Sequence, residues 1–131
     1  MVNAQEYINN NFPKDSKAIN VSKRNLTGSL DLREYLQLEE LVIEINQISN
    51  LIFSENNKNI TKIEAYNNQL TSLNFLTSLP NPERLKWLGV FQNKITLDNL
   101  NILVSFVNYK EISCSFAYNY RSIMLAISVK R

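Results

Sequence analysis

Residues 38–48 read Leu38-Glu-Glu-Leu-Val-Ile-Glu-Ile-Asn-Gln-Ile48, and the same spacing of apolar residues around one asparagine returns at 60–70 and at 85–95. The three asparagines, Asn46, Asn68 and Asn93, lie 22 and then 25 residues apart. A motif that returns at a period of roughly 20–29 residues indicates a chain built from stacked copies of one unit.

The shared form, L-x-x-L-x-L-x-x-N-x-L, is typical of leucine-rich repeats. It predicts an α/β fold: a short, right-handed solenoid with a parallel sheet on its concave side, a helical or irregular convex side and an N-terminal helical cap. One domain is expected over 1–131, with the cap at 1–17, repeats at about 18–119 and a C-terminal cap or irregular tail at 120–131.

The segments between the copies predict the convex side. Residues 31–37 and 98–106 have the pattern of helices, and Asp98 suits the start of the second. Residues 73–76 suit a single turn stopped by prolines, whereas the polar segment 54–59 predicts irregular structure. At the N-terminus, Asn3 followed by Glu6 predicts a capped helix that ends at Pro13.

The anchor asparagines Asn46, Asn68 and Asn93 come where each strand ends. Because an asparagine amide both donates and accepts hydrogen bonds, we expect a ladder in which each one bonds the turn of its own repeat and of the next. A weaker upstream copy has Arg24 at this position, and a weaker downstream copy, with Ile112 beside Leu88 and Cys114 also facing inward, has Ala117.

Alternation along the strands predicts the outward residues of the concave face. These candidate partner-binding residues are Glu40, Val42 and Glu44, then Lys62, Glu64 and Tyr66, then Trp87, Gly89 and Phe91. The downstream copy adds Glu111, Ser113 and Ser115, which places Glu111 in the row of Trp87 and Ser115 in the row of Phe91.

Tyr66, Trp87 and Phe91 form an aromatic cluster on this predicted face, and aromatic residues are common at binding hot spots. Gly89 leaves a notch between two of the rings that a partner side chain could enter. For the rings, the alternative is that they only cover the sheet. For Lys62, three interpretations stay open: it pairs with Glu40, it lies over the indole of Trp87, or it is a solvated surface charge.

Composition argues against catalysis and against metal or cofactor sites. The chain lacks histidine, has one cysteine, Cys114, and has two glycines, so it offers no triad, thiolate cluster or phosphate loop. Glu39, Glu40 and Glu44 show no setting that would raise a carboxyl pKa. The net charge of +2 gives no basic stripe for nucleic acid, and no apolar run is long enough to cross a membrane.

Four stretches carry a resemblance to a known family: 3–7 (Asn-Ala-Gln-Glu-Tyr), 12–14 (Phe-Pro-Lys), 25–32 (Asn-Leu-Thr-Gly-Ser-Leu-Asp-Leu) and 67–73 (Asn-Asn-Gln-Leu-Thr-Ser-Leu). Over about residues 3–112 the chain resembles an expanded family of fungal leucine-rich-repeat proteins. The resemblance implies an intracellular interaction module, and some members carry a protein kinase domain. The chain departs from the family pattern around Glu44-Ile45 and Phe91-Gln92 and in its last 20 or so residues.

The expected function is therefore a cytoplasmic, non-enzymatic module that binds another protein or peptide through the concave face. No cofactor, metal, nucleic acid, membrane or small-molecule substrate is expected. The alternative is a regulatory or receptor-like fragment of a larger kinase-linked protein, inert when isolated.

Overall fold

The computed structural model describes residues 1–90, 92–95 and 102, and the backbone of Ser113–Ser115. It is an α/β structure with two parallel sheets. In chain order the elements are β1 (Val2–Asn3), α1 (Ala4–Asn11), β2 (Ala18–Asn20), β3 (Leu26–Asp31), β4 (Glu40–Val42), β5 (Gln47–Ile52), β6 (Lys62–Glu64), two 3₁₀ turns (Asn74–Ser78 and Pro82–Arg84), β7 (Trp87–Gly89) and β8 (Ser113–Ser115).

The larger sheet has five parallel strands in the order β2-β4-β6-β7-β8. Its central residues are neighbours in register: Leu41 lies beside Ile63, which lies beside Leu88. The predicted parallel strands of the three motif copies are thus confirmed. Each central side chain is fully buried because strand alternation turns it away from solvent, while its two neighbours face the other way.

A second parallel sheet, in the order β1-β3-β5, is present where a helical or irregular convex side was predicted. Strands β3 and β5 pair from Thr27 and Gln47 onward, and the register shifts after Gly28, which leaves Ser49 without a register partner in β3. Gly28 has φ +88°, a conformation that favours glycine. The two sheets enclose the core between them, so each coil of the first repeats contributes one strand to each sheet.

The predicted helix at 31–37 is wrong. Asp31 ends β3, and the chain then makes two tight turns, in which the Tyr35 N–H donates to the Leu32 carbonyl at 3.0 Å and the Leu38 N–H donates to the Tyr35 carbonyl at 3.2 Å. Leu32, Tyr35 and Leu38 are fully buried. Their spacing of three residues belongs to turns that point every third side chain inward, and it resembles the spacing of a helix face.

The other connecting segments are as predicted where the structure describes them. Residues 54–59 form turns, and the turn predicted at 73–76 is the 3₁₀ segment Asn74–Ser78. The chain is extended at Leu79, before Pro80 and the second 3₁₀ segment at Pro82–Arg84. Of the predicted helix at 98–106 only Ile102 is described; Asp98, Ala117 and the tail at 120–131 lie outside the described residues.

The N-terminal helix α1 covers one end of the stacked coils. Asn3 Oδ1 accepts a hydrogen bond from the Glu6 N–H at 2.9 Å, as the capping pattern predicted, and Ala4 and Ile8 are fully buried. The side-chain amide of Gln5 bonds the backbone of Asp31 as a neighbouring strand would. Its oxygen accepts from the Asp31 N–H, and its nitrogen donates to the Asp31 carbonyl at 3.1 Å. The open edge of β3 is thus covered at both ends, since β1 pairs with its start.

A ladder of buried asparagines joins the coils at the ends of the larger sheet's strands. Asn68 donates to the carbonyls of Ile43 at 3.0 Å and Ala65 at 3.2 Å, and it accepts from the Ile48 N–H at 3.0 Å. Asn46 and Asn93 make the same kinds of bond. The predicted bonds to the anchor's own repeat are confirmed, as in the bond from Asn68 to Ala65. The predicted bonds to the next repeat are wrong, because the amide also reaches backbone groups of the preceding coil, at Ile43 and Ile48.

The residue before each anchor has a left-handed backbone. Lys23, Ile45, Asn67 and Gln92 have φ between 52° and 58°. This conformation lets the chain turn off the strand while the anchor side chain points inward. It suits asparagine, whereas a β-branched residue is strained there. Ile45 is therefore the position in this set where the side chain fits the backbone least well.

We expect Ile45→Asn to stabilise the protein by about 1 kcal/mol, since the left-handed conformation costs most L-residues about 1–2 kcal/mol and asparagine less. The gain is an increase in the free energy of unfolding, measured by urea denaturation. Asn67→Ile, at the equivalent position one coil later, should lower the same quantity by a similar amount. Loss of stability in both variants would contradict this account of the turn.

Candidate functional site

The outer face of the five-stranded sheet carries most of the predicted partner-binding residues. We use "outer face" for the side of this sheet opposite the core. Its described residues are Ala18, Asn20, Glu40, Val42, Glu44, Lys62, Glu64, Tyr66, Trp87 and Gly89. Strand register orders them into rows. Glu40, Lys62 and Trp87 lie side by side, and Val42, Glu64 and Gly89 form the next row.

A hydrogen bond fixes the orientation of the Trp87 indole on this face. The indole Nε1–H donates to Glu64 Oε2 at 2.8 Å. Glu64 lies on the neighbouring strand β6, two residues after Lys62, the register partner of Trp87. A donor that meets a carboxylate makes a stronger bond than a neutral pair does. Trp87 is 37% exposed, so the hydrogen bond orients an indole that remains open to solvent.

Gly89 lies directly beneath this pair. A Cβ built on Gly89 would collide with the carboxylate of Glu64, coming within 2.7 Å of its Cδ. The absence of a side chain is therefore what lets the carboxylate lie flat on β7 and meet the indole. The notch predicted at Gly89 is present in the backbone, but the Glu64 side chain fills it, and a partner side chain would have to meet that carboxylate first.

The remaining predicted residues differ in how much the structure says of them. Glu44 and Tyr66 are partly buried and adjacent, since the Ile45 N–H donates to the Tyr66 carbonyl at 2.8 Å. Lys62 forms neither an ion pair nor a stacking contact with any other described residue, which favours the solvated charge over the two pairings considered. Phe91 lies outside the described residues, so the three-ring cluster is not tested.

The last strand of the sheet lies in a different register from the predicted one. Ser113 pairs with Trp87, Cys114 with Leu88 and Ser115 with Gly89. Glu111 was expected beside Trp87 and Ser115 beside Phe91, so both row assignments are wrong by two residues. Cys114 nonetheless occupies the central position of its strand, beside Leu88.

A polar cleft of about 580 Å³ lies on another part of the molecule, between α1 and the turns after β3 and β5. Its charges are paired internally. Arg33 forms a bidentate ion pair with Asp31, with a shortest distance of 2.7 Å, and the hydrogen bonds from Arg33 lower the pKa of the Asp31 carboxyl below its ordinary value of 3.8. The carboxylate in turn raises the pKa of Arg33. Lys14 contacts Glu34 at 3.6 Å and lies 4.6 Å above the ring of Tyr35.

Two polar residues that the repeat motif does not predict also organise the structure. Asn57 is 2% exposed, accepts from the Ser54 N–H at 2.8 Å, and donates to the carbonyls of Leu32 at 3.0 Å and Tyr35 at 3.2 Å. The signal was available, since Asn57 lies one 22-residue period after the buried Tyr35. Gln5, described above, had no such signal because the cap precedes the repeats.

The described part of the chain holds no group of three metal-ligating side chains. Within the same residues, no helix is long and apolar enough to cross a membrane.

Comparison with known proteins gives one informative similarity. No protein-family model matches the chain, and no solved structure matches it. The chain is similar to the mouse (Mus musculus) protein described as leucine-rich repeat-containing protein 43, with 29% identity over 106 residues. The similarity is to a leucine-rich-repeat protein. It covers 77% of this chain and 16% of the relative, so the chain spans only a small part of that relative's length.

Proposed function

We propose that this chain is a leucine-rich-repeat solenoid, one domain over 1–131, which binds another protein through the outer face of its larger sheet. The similarity to a leucine-rich-repeat protein supports the family. The three motif copies, whose strands lie parallel and in register, support the solenoid. The outer face is then its concave surface, which a partner would enter as an extended segment.

The observation that carries the proposed binding face is the exposed, hydrogen-bonded Trp87, on a sheet whose opposite side is buried in the strands β2, β4, β6 and β7. Tryptophan is enriched at binding hot spots, as are tyrosine and arginine. Because the ring is already fixed in the free protein, binding would immobilise little besides the partner, and the entropy cost of association falls. Tyr66 and Glu44 on the adjacent row extend the surface, and Val42 and Glu40 complete its other side.

The proposal assigns no catalytic step, metal or cofactor to the chain. A cytoplasmic location rests on the single cysteine of the sequence and stays a prediction, as does the exclusion of nucleic acid and membranes as partners. The fungal and kinase-linked parts of the resemblance also stay predictions.

Selection of random 12-residue peptides displayed on phage, with the folded chain as bait, tests the binding face. We expect the double variant Tyr66→Ala/Trp87→Ala to bind the selected peptides at least tenfold more weakly than the unchanged chain, measured by biolayer interferometry. The reason is the loss of two ring contacts, each typical of a hot spot.

Leu36→Ala is the matched control, because Leu36 is 47% exposed, large and apolar, and lies in the turns away from the larger sheet. It should change peptide affinity less than twofold. Selected peptides that bind the double variant as tightly as the unchanged chain, or that lose affinity with Leu36→Ala instead, would reject the outer face as the binding surface. Circular dichroism of each variant establishes that it is folded.

A further inference from the structure

The charge on the outer face is opposite in sign to that of the whole chain. The sequence has a net charge of +2, with basic residues in excess. The described positions of the outer face carry three carboxylates, Glu40, Glu44 and Glu64, against the single amine of Lys62. This face is therefore locally acidic, and a segment that lies along it meets a negative potential.

Glu64 sits at the centre of this acidic face with aromatic residues around it. Its row neighbours across the sheet are Val42 and Gly89, which are apolar or without a side chain, and its neighbours along the strand are Lys62 and Tyr66. One carboxylate oxygen accepts the Trp87 indole N–H. A carboxylate offers about four acceptor positions, so this bond leaves room for further donors.

We propose that the Glu64–Trp87 pair is a docking subsite for an arginine side chain of a basic, extended partner segment. This inference rests on the proposed function, because it names the partner class of the same face. Arginine fits better than lysine because its planar guanidinium can stack on the exposed indole while its fork of N–H groups meets the carboxylate. Lysine offers only a compact charge at the end of a flexible stem.

The other two carboxylates set the spacing of the partner's charges. Glu40 begins β4, and Glu44 follows the end of β4 by two residues. Both are therefore one strand away from Glu64, two residues to either side of Val42, which is the register partner of Glu64. Alternate residues of an extended peptide are about 7 Å apart and point to the same side, which matches the distance between such positions on neighbouring strands. The face is thus suited to a segment that carries arginine at every second position.

Other partners fit this face less well. An acidic segment or a nucleic acid backbone would face three carboxylates. An apolar segment would bury the carboxylate of Glu64 without a cation, and an unpaired buried charge is strongly unfavourable. Lys62 is the one described residue of the face whose charge repels a basic segment. Removing this charge should therefore strengthen binding of such a segment.

The experiment uses a fluorescein-labelled peptide of 12 residues in which arginine and serine alternate, with the glutamate–serine peptide of equal length as the opposite charge. Anisotropy gives the affinity. Trp87 is the only tryptophan of the chain, so its emission reports whether the peptide contacts this site. We expect saturable binding of the arginine peptide at low salt, weaker binding as salt rises and none of the glutamate peptide.

Glu64→Gln removes the charge but keeps an oxygen that can accept the indole N–H, and it should weaken binding about tenfold. Glu34→Gln makes the same charge change at a side chain that is 80% exposed and lies at the polar cleft, and it should weaken binding less than twofold. Lys62→Ala should strengthen binding of the arginine peptide two- to threefold, because it removes a like charge beside the site.

Equal effects of Glu64→Gln and Glu34→Gln would show non-specific charge attraction and overturn the subsite. So would weaker binding of the arginine peptide to Lys62→Ala than to the unchanged chain. If the arginine peptide fails to bind while the display-selected peptides still need Tyr66 and Trp87, this inference fails and the proposed function stands. If the selected peptides bind elsewhere, the proposed function fails as well.

Discussion

Asn68→Ala should be among the most destabilising single substitutions in the chain, lowering the free energy of unfolding by about 3–5 kcal/mol. Asn68 is 3% exposed and bonds the carbonyls of Ile43 and Ala65 and the N–H of Ile48. Alanine leaves the Ile48 N–H buried and unpaired, at about 1–3 kcal/mol. The two carbonyls keep their bonds from Asn46 and Asn93, so each loses one of two hydrogen bonds, at about 0.5–1.5 kcal/mol apiece. Urea denaturation, followed by circular dichroism, measures the change.

Asn50→Ala is the matched control, since Asn50 is exposed and its amide donates to the Ser29 hydroxyl at a long 3.3 Å. Its expected loss is within about 0.5 kcal/mol, which is usual for surface substitutions. If Asn68→Ala costs no more than Asn50→Ala, water or the neighbouring backbone must satisfy the freed groups, and the ladder does not hold the coils together.

Asn68→Asp separates hydrogen bonding from side-chain volume. The aspartate has the same shape, but it places an acceptor where the amide donates to two carbonyls. Burial beside those carbonyls raises its pKa above the unfolded value of about 3.9. Because the folded-state pKa is the higher one, this variant should be most stable below about pH 4 and lose stability as the pH rises. A pH-independent loss would point to packing rather than to the amide.

The larger sheet could be predicted because its information is local and repeated. In each copy two apolar residues flank one outward residue, and one asparagine follows three residues after the second, as for Leu41, Ile43 and Asn46. The N-terminal cap was equally local, since Asn3 and Glu6 are three residues apart. A period of two and a fixed repeat length are enough to give strand, direction and inward face.

The second sheet could not be predicted because its strands lack that regularity. In β5 the buried residues are Ile48 and Leu51, three apart, since the register shift at Ser49 breaks the alternation. In β3 the buried residues Leu26 and Leu30 are four apart, with Gly28 in a positive-φ conformation between them. Spacings of three and four favour a helix by periodicity, and only pairing with the neighbouring coil makes these segments strands.

The register of the last strand shows a different limit. Ile112 and Cys114 are both apolar and two residues apart, so either can lie beside Leu88 without turning the strand over. A slip of one residue would expose the core face and is excluded by pattern, whereas a slip of two keeps every side chain on its own face. The choice between them depends on the length of the preceding connection, which the motif does not determine.

At the candidate site, the positions of the residues could be predicted and their contacts could not. Register followed from the motif, so Glu64 and Gly89 were expected in one row. The rotamer of Glu64 depends on the neighbouring strand, where the missing side chain at Gly89 gives the carboxylate a place to lie and the Trp87 indole gives it a donor. A sequence pattern assigns each outward residue separately, so it predicts an empty notch at Gly89. In the structure the side chain of Glu64 fills this notch.

Asn57→Ala should lower the free energy of unfolding by about 2–4 kcal/mol, although the residue lies in a polar segment with no regular structure. It ties the turn of its own coil to that of the preceding one, through the Ser54 N–H and the carbonyls of Leu32 and Tyr35. The turns at 31–37 stand where a helix was expected, and in them the Leu32 and Tyr35 carbonyls each accept one backbone N–H. The buried Asn57 amide gives each of these carbonyls a second donor and gives the Ser54 N–H its acceptor.

The adjacent Asn56→Ala is the control for this prediction, because Asn56 is exposed and lines the open cleft. It should cost less than about 0.5 kcal/mol in the same urea titration. Asn57→Asp should be destabilising too, since it removes the donor to both carbonyls and keeps the acceptor for Ser54. If Asn57→Ala and Asn56→Ala proved equal, the turns would be held by the packing of Tyr35 and Leu32 alone. The second face of the coils would then depend on apolar burial and on backbone pairing, without a contribution from a buried amide.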